Sequence, residues 1–475
     1  MNPETPQASE ASREQEDRSE QEAAQAHTVR QALDRAAPDI LNAAAVPGLA
    51  VAVQVGESSF CCGYGSTSVE DPLSVTAETI FQIGSVSKTF VGVIAGQLEQ
   101  EGRLDLEWPV VRVLGPECGL DERILIRHLL THASGIDAQY MIGSARALLA
   151  GHAEDSITRS LAHLRPDGVI FAPGSDFSYS GPGFMVAAAV LEHITGACWE
   201  DILWDRVLKP AGMRRTFTRA DQAITYRVAA PHDVTAERAR VNRNEGWQLG
   251  WQLPGWDVPG GGVLSTAADL LRYIRYCWDN AERFGFFRDL AGRGIADYRM
   301  AYAWMSEPRR GRKFFGHAGL TFGYASRLMT SPDERVTYVL LTNSAKGAAA
   351  VDAVEEVALE ALYGARVPSE IAPARLEEFR DCEGVYDQGF HGQVQLRMRA
   401  DGAGMEMFPI AGRSRAGSFV IEGKKAPLLV PKADGSVLTD PDSDSAGNMV
   451  VALRDGHGAV WALRIGERIC ARVHS

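Results

Sequence analysis

Apolar positions recur every three to four residues from His27 to Ala44 (Val29, Leu33, Ala36, Ile40), the spacing of one helical face. Pro47-Gly48 breaks that pattern, and Leu49 to Val55 is a nearly continuous apolar run that predicts a buried strand. Phe60 to Tyr64 follows a short turn at Gly56 to Ser58, so the pair reads as a hairpin. Thr79 to Ile83 leads into Ser85 and a helix running to about Gln100, where Gly102 ends it. Further helices are predicted over Ile124 to Leu130, Phe184 to Ile194, Trp199 to Leu208 and Ala267 to Trp278, the last capped by Thr266. Trp108 to Gly115 reads as a loop and Tyr140 to Leu164 as a polar helical region. Lys313 to Gly316, Tyr324 to Thr330 and Val336 to Thr342 are strand candidates, and Ala349 to Tyr363 is a final helix. The first hairpin and these late strands most simply share one antiparallel sheet, with the N- and C-terminal helices on one face, an α+β arrangement.

The pattern fails at both ends of the chain. Met1 to Ala26 is polar and rich in Glu, Gln, Ser and Ala, which predicts a disordered acidic tail over residues 1–26, partly helical towards its end. Pro368 to Pro373 reads as a linker. Beyond it lie short apolar runs separated by Gly, Asp and Ser, among them Gln393 to Met398, Phe419-Val-Ile, Leu428-Leu-Val and Met449 to Leu453. Such spacing predicts an all-β barrel or sandwich of about a hundred residues. The expected division is therefore a main domain over 27–366 and a C-terminal β domain over 367–475.

Composition narrows the class of partner. The 475-residue chain carries a formal charge of −13, which argues against nucleic acid or an anionic membrane surface. No run of 18 apolar residues is present and no secretory signal is visible, so a cytoplasmic location is the default expectation. The seven cysteines are scattered without a C-x-x-C pair, as expected of small buried residues in a reducing compartment.

Candidate chemistry centres on Ser85 and Lys88, with two residues between them where an apolar helix begins. A separation of three places both side chains on one helical face. The first turn offers free backbone N–H groups to a developing negative charge, and a lysine held neutral can take the serine proton. S-x-x-K alone is common. Tyr179-Ser180-Gly181, after a Pro-Gly turn and before a helix, and His317-Ala318-Gly319, at the end of a candidate strand, add two further segments. His128 and His132 lie one helical turn apart, but no acidic residue stands between them, and both read as structural hydrogen-bonding groups rather than metal ligands. The run Gly246 to Pro259, with Trp247, Trp251 and Trp256, reads equally as a pocket wall or a packed loop.

These three segments, in this order, resemble the serine beta-lactamase and penicillin-recognising hydrolase superfamily, in the branch that holds class C beta-lactamases, D-aminopeptidases, DD-peptidases and esterases. The likeness extends over His27 to Tyr363, through Gly102-Arg-Leu-Asp-Leu, His128-Leu-Leu-Thr-His-Ala-Ser-Gly135, Gly261 to Leu270, His317 to Gly323 and Leu340-Leu-Thr-Asn343. It implies an antiparallel sheet flanked by helices with an all-α insertion. It also implies Ser85 as nucleophile, with Lys88 and Tyr179 sharing the proton work and either one as the base. The backbone N–H groups of Ser85 and Leu320 would face the oxyanion, and Gly319 would leave room for substrate along its strand.

Two departures mark this chain. His317 stands where the family usually has the lysine of Lys-Thr-Gly, which removes a permanent cation beside a substrate carboxylate. Gly181 stands where an asparagine usually contacts the substrate amide. The resemblance therefore implies a cofactor-free serine hydrolase of small peptides or amino-acid amides, D-aminopeptidase-like, with no metal. A carboxylesterase or acyltransferase of the same fold is the alternative, and a non-catalytic ligand sensor is one of another class. The partner implied is a small molecule or short peptide; oligomeric state is not encoded in these motifs.

Overall fold

A computed structural model describes residues 6–136, 151, 155–162, 169–235, 238–243, 253–290, 299–366, 370, 372–387, 393–410, 428–432, 438–439 and 449–473. Its centre is a seven-stranded antiparallel sheet. In spatial order the strands are Ser58–Gly65, Gly48–Val55, Val336–Thr342, Tyr324–Ser331, Arg312–Thr321, Met305–Arg309 and Arg299–Met300. Gly48–Val55 pairs with Val336–Thr342 from Leu49 opposite Thr342 to Val55 opposite Val336, which joins distant parts of the chain. All eight residues of Gly48–Val55 are buried, as an apolar run covered on both faces requires.

Successive side chains divide between two cores because a strand alternates faces. Leu49, Val51 and Val53 pack with Leu340 against helices Pro6–Ala44 and Gly347–Tyr363. Ala50, Ala52, Val339 and Leu341 join the larger core with helices Ser87–Gln100, Gly181–Thr195 and Ala267–Asp279. Thr266 caps the last of these, its Oγ1 accepting the Asp269 N–H at 3.0 Å. Both the shared sheet and the pairing of terminal helices match the expectation from the sequence.

The expected disordered tail is corrected. From Pro6 the chain is helical and continuous with the helix through Ala44. Ala, Glu, Gln and Arg favour helix intrinsically, and the segment propagates from a turn already anchored by Val29, Leu33, Ala37 and Leu41. Its polar composition keeps residues 13–20 exposed, while Glu22 accepts the Glu57 N–H at 2.8 Å. Trp108 to Gly115 is not wholly a loop either: Val110–Leu114 forms a short helix behind Pro109. The strand Met305–Arg309 was not anticipated, because Pro308 breaks its pattern; it lies next to the outermost strand of the sheet. Most of Tyr140 to Leu164, the indoles Trp247 and Trp251, and Phe419-Val-Ile lie outside the described residues. Trp256 is buried in the turn Gly255–Asp257.

The C-terminal strands, Gly384–Asp387 through Arg468–Arg472, close into an eight-stranded barrel. Closure is made by Tyr386 opposite Arg472. Leu376, Phe379, Tyr386, Leu396, Leu463 and Cys470 are among the residues that fill it. Its last hairpin, Val460–Ile465 and Arg468–Arg472, turns against the segment carrying Tyr179. No described helix is long and apolar enough to cross a membrane.

Candidate active site

The nucleophile turn is held from three sides. Phe81–Gln82 pairs with Leu264–Ser265, and Gly84–Val86 then forms a tight turn before helix Ser87–Gln100. Gly84 adopts φ +53°, and a Cβ there would lie 2.6 Å from the Leu320 nitrogen. Only glycine allows both that conformation and that approach. The Ser87 hydroxyl donates to the Gly84 carbonyl at 2.7 Å and accepts the Val263 N–H at 3.2 Å. The Ser326 hydroxyl donates to the Ile83 carbonyl at 2.7 Å. Ser85 thus sits against strand Arg312–Thr321. Met305–Arg309 pairs with that strand only as far as Gly316, so residues 317–321 face the nucleophile without a partner strand on that side among the described residues.

Gly319 serves this contact. A Cβ there would collide with the Ile83 carbonyl and the Ser326 hydroxyl, so the absent side chain makes room for the nucleophile turn itself. The Leu320 nitrogen stands beside Gly84 for the same reason.

Lys88 is buried one turn along. Its Nζ is hydrogen-bonded to Ser85 Oγ at 3.1 Å and donates to the Gly260 carbonyl. The amine lies 5.0 Å from the Tyr179 ring centre and 5.6 Å from that of Phe184. Burial pulls the Lys88 ammonium down to about 7; Asp257 opposes the shift, Arg468 adds to it, and Glu467 opposes it. Such a lysine is substantially neutral at neutral pH.

Tyr179 is positioned by its neighbours' backbone. The Ser178 N–H donates to the His132 carbonyl at 3.0 Å and the Ser180 N–H donates to His132 Nδ1 at 3.0 Å. The His132 ring stacks on the Tyr179 ring at 4.2 Å, and its backbone holds φ +54°. Between the two bonds, the Tyr179 N–H donates to the Glu467 carbonyl of the barrel at 2.7 Å. Arg468 lies over the phenol, its Cζ 5.0 Å from the ring centre. The buried Tyr179 hydroxyl has no hydrogen-bond partner among the described residues. Burial, reinforced by Glu467, pushes the phenol well above its ordinary value; the nearby Ser85 hydroxyl and Arg468 pull it back, and Asp257 adds to the rise. The phenol is therefore the neutral form near pH 7, and Lys88 is the group of this pair that exchanges its proton there.

His317 is neutral as well. Burial holds its pKa down, to about 3, with the Lys88 charge acting in the same direction and the Ala318 carbonyl opposing. Its Nδ1 lies 2.5 Å from the Ala318 carbonyl oxygen, its buried Nε2 has no partner among the described residues, and its ring meets Tyr179 edge-on at 5.9 Å. No permanent cation stands at this position. Gly181 opens helix Gly181–Thr195, where Ser180 Oγ accepts the Gly183 N–H at 3.2 Å. A Cβ on Gly181 would meet nothing within 4 Å.

Ser85, Lys88, Tyr179 and His317 are brought together, with Gly319 and Leu320 behind the nucleophile turn and Gly181 on the Lys88 side. His128 and His132 each accept a backbone N–H, from Leu125 at 3.2 Å and from Ser180, the structural use expected of them. Sequence reasoning missed three groups: Asp257, and Glu467 with Arg468. Asp257 had a faint signal, lying in a Trp- and Gly-rich run before Gly260-Gly261-Gly262. Nothing in the sequence links the barrel hairpin to Tyr179, almost three hundred residues earlier.

The fold agrees with comparison to known proteins. The sequence profile described as Beta-lactamase matches residues 27–363, and the chain belongs to that family. It is similar to Penicillin-binding protein 4 of Amycolatopsis lactamdurans, 28% identical over 352 residues that cover 69% of this chain and 89% of the relative. Among solved structures it is similar to SurE, with a TM-score of 0.66 and 22% identity over 94% of this chain and 99% of that one. It is also similar to a D-amino acid amidase from Ochrobactrum anthropi SV3, with a TM-score of 0.57 and 19% identity, covering 70% of this chain and 99% of that one.

Proposed function

We propose that the chain is a serine hydrolase that works through an acyl-enzyme, with Ser85 as nucleophile and Lys88 as the base that activates it. The observation that carries this reading is the 3.1 Å contact between Ser85 Oγ and a buried amine whose pKa has fallen to about 7. As Ser85 Oγ bonds to a substrate carbonyl carbon, its proton passes to Lys88 Nζ, and the carbonyl oxygen takes up negative charge facing the backbone N–H groups of Ser85 and Leu320. Collapse of that intermediate breaks the bond to the leaving amine, which must gain a proton. Tyr179, a neutral phenol, passes a proton to it and recovers one from Lys88. Water then repeats the sequence on the acyl-serine.

The substrates we assign are small peptides or amino-acid amides, in the manner of a D-aminopeptidase. The neutral His317 favours this over a lactam bearing a carboxylate, because no cation awaits the carboxylate there. The likeness to a D-amino acid amidase supports the same substrate class. The open space at Gly181 favours a second reading, an esterase or acyltransferase that does not need a side chain to position an amide. A cytoplasmic protein of this kind would process imported or internally made peptides.

The test is a fluorophosphonate label followed by p-nitroanilides and p-nitrophenyl esters of D- and L-amino acids. The expected result is an adduct on Ser85 and turnover of the anilides. Ester turnover with every anilide inert would favour the second reading. An unlabelled Ser85 in folded protein would leave a non-catalytic, ligand-sensing role.

A further inference from the structure

The barrel brings one permanent charge to the catalytic pair. Its last hairpin turns at Gly466, φ +56°, whose N–H donates to the Met449 carbonyl at 2.8 Å, and strand Arg468–Arg472 starts two residues later. The backbone on either side of Arg468 is pinned to the Tyr179 loop. The Glu467 carbonyl accepts the Tyr179 N–H at 2.7 Å, and the Ile469 N–H donates to Ser178 Oγ at 3.2 Å. Arg468 itself is half-buried and makes no ion pair and no side-chain hydrogen bond among the described residues. Its Cζ stands 5.0 Å from the Tyr179 ring centre, and Lys88 Nζ stands 5.0 Å from the same centre. The two groups are therefore no more than about 10 Å apart, a range over which partly buried charges still interact.

Two cations this close to one ring repel, and only one of them can give up its proton. An arginine keeps its charge, while a buried lysine loses its own readily. Asp257 works in the other direction. Its Oδ1 and Lys88 Nζ lie 3.0 and 3.9 Å from the point where a Gly260 Cβ would stand, so its carboxyl is the amine's counter-charge. A carboxylate there favours the ammonium, which cannot take the Ser85 proton. Tyr179, His132 and His317 also face the amine, and burial holds all three uncharged near pH 7. Burial does most to neutralise Lys88. Of the charged groups, Asp257 and Glu467 oppose that change, and Arg468 is the one among the described residues that adds to it.

We propose that Arg468 is a positioning residue for the catalytic proton: its fixed charge, set beside Tyr179 by the barrel, keeps Lys88 in the neutral form that activates Ser85. The barrel then acts on the reaction through charge as well as through the shape of the Tyr179 loop. This deepens the hydrolase reading above and rests on Lys88 being its base.

The experiment reads the rate of fluorophosphonate labelling of Ser85 from pH 5 to 9, in the full chain, for wild type, R468Q, R468K and E467Q. Wild type should show an acid limb, where protonated Lys88 leaves Ser85 unactivated. R468Q should move that limb up by at least about half a pH unit, a loss of about three-fold at a fixed pH on the limb that shrinks towards the alkaline plateau. R468K restores a positive charge and should return the limb towards its wild-type position. E467Q removes an opposing charge and should move the limb down. The midpoint of a limb does not depend on how much of a variant is folded, and a merely structural role would lower the rate equally at every pH. A limb unmoved in R468Q, or moved the same way in R468Q and E467Q, would overturn the proposal while leaving the hydrolase in place. A wild type that is not labelled, or is labelled without an acid limb, would instead remove the reading of Lys88 as base on which the proposal rests.

Discussion

Ser85 has its base within hydrogen-bond reach, and the identity of that base sets the pH behaviour. Protonated Lys88 cannot accept the serine proton, so activity should fall as pH drops through about 7 and rise on the alkaline side. A kcat/KM profile on a good substrate checks this; a profile flat from pH 5 to 9 with chemistry rate-limiting would contradict it. Lys88→Arg keeps a cation near Ser85 but cannot deprotonate, and should cost at least about a thousand-fold in kcat/KM. His132 acts differently, through the backbone on either side of Tyr179. His132→Ala leaves the buried Ser180 N–H without its acceptor and should destabilise the protein by about 1–3 kcal/mol, with kcat falling more than KM changes. In His132→Asn the side-chain oxygen can accept that N–H, so denaturant melts should show part of the stability returning; the ring stacking on Tyr179 would still be lost. The three-residue spacing of Ser85 and Lys88 was legible because one helical turn fixes it. The lowered lysine pKa was not, because it depends on what buries the amine.

At the scale of elements, the site is a junction between a helix start and a strand edge that no described strand pairs. The turn at Gly84 and the strand at Gly319 touch backbone to backbone, which only two glycines permit. Gly319→Ala should push the strand off the Ile83 carbonyl, costing about 1–3 kcal/mol of stability and slowing acylation of Ser85. Thermal melts and the rate of fluorophosphonate labelling would read the two effects separately. The sequence revealed the elements themselves through periodicity and caps, as at Thr266 and helix Ala267–Asp279. It did not reveal why Gly319 lacks a side chain. A glycine in a strand signals close approach, and the identity of the approaching group is a tertiary fact. The helix from Pro6 was missed for a related reason: polar composition suggested disorder, while attachment to an anchored helix lets favourable propensity extend it.

Across the whole molecule, the barrel is tied to the loop that carries Tyr179. Arg464, buried, donates from Nε to the Phe177 carbonyl at 3.1 Å and pairs with Asp176. The Ile469 N–H donates to Ser178 Oγ at 3.2 Å, and Met449 and Val451 pack on the cluster of Phe177, Tyr179, Met300 and Met305. Arg464→Ala should therefore lower kcat/KM at least ten-fold in a protein whose barrel remains folded, with far-ultraviolet circular dichroism as the control. An unchanged kcat/KM would mean that the Tyr179 loop holds its shape without the barrel.

The sequence by itself determined the parts whose cause is local. It set most of the strands and helices from their periodicity, the Ser85–Lys88 spacing from one turn of helix, and the two departures at Gly181 and His317 from residue identity. Three separate segments in a family order were enough to place the chain, because each carries its own turn chemistry. Tertiary structure decided what arises only when distant segments meet. It turned Lys88 toward neutrality by burying it, gave Asp257 a place beside it, and set the Glu467 carbonyl under the Tyr179 N–H. Burial and long-range hydrogen bonds are properties of neighbours in space, and no pattern along one chain records them.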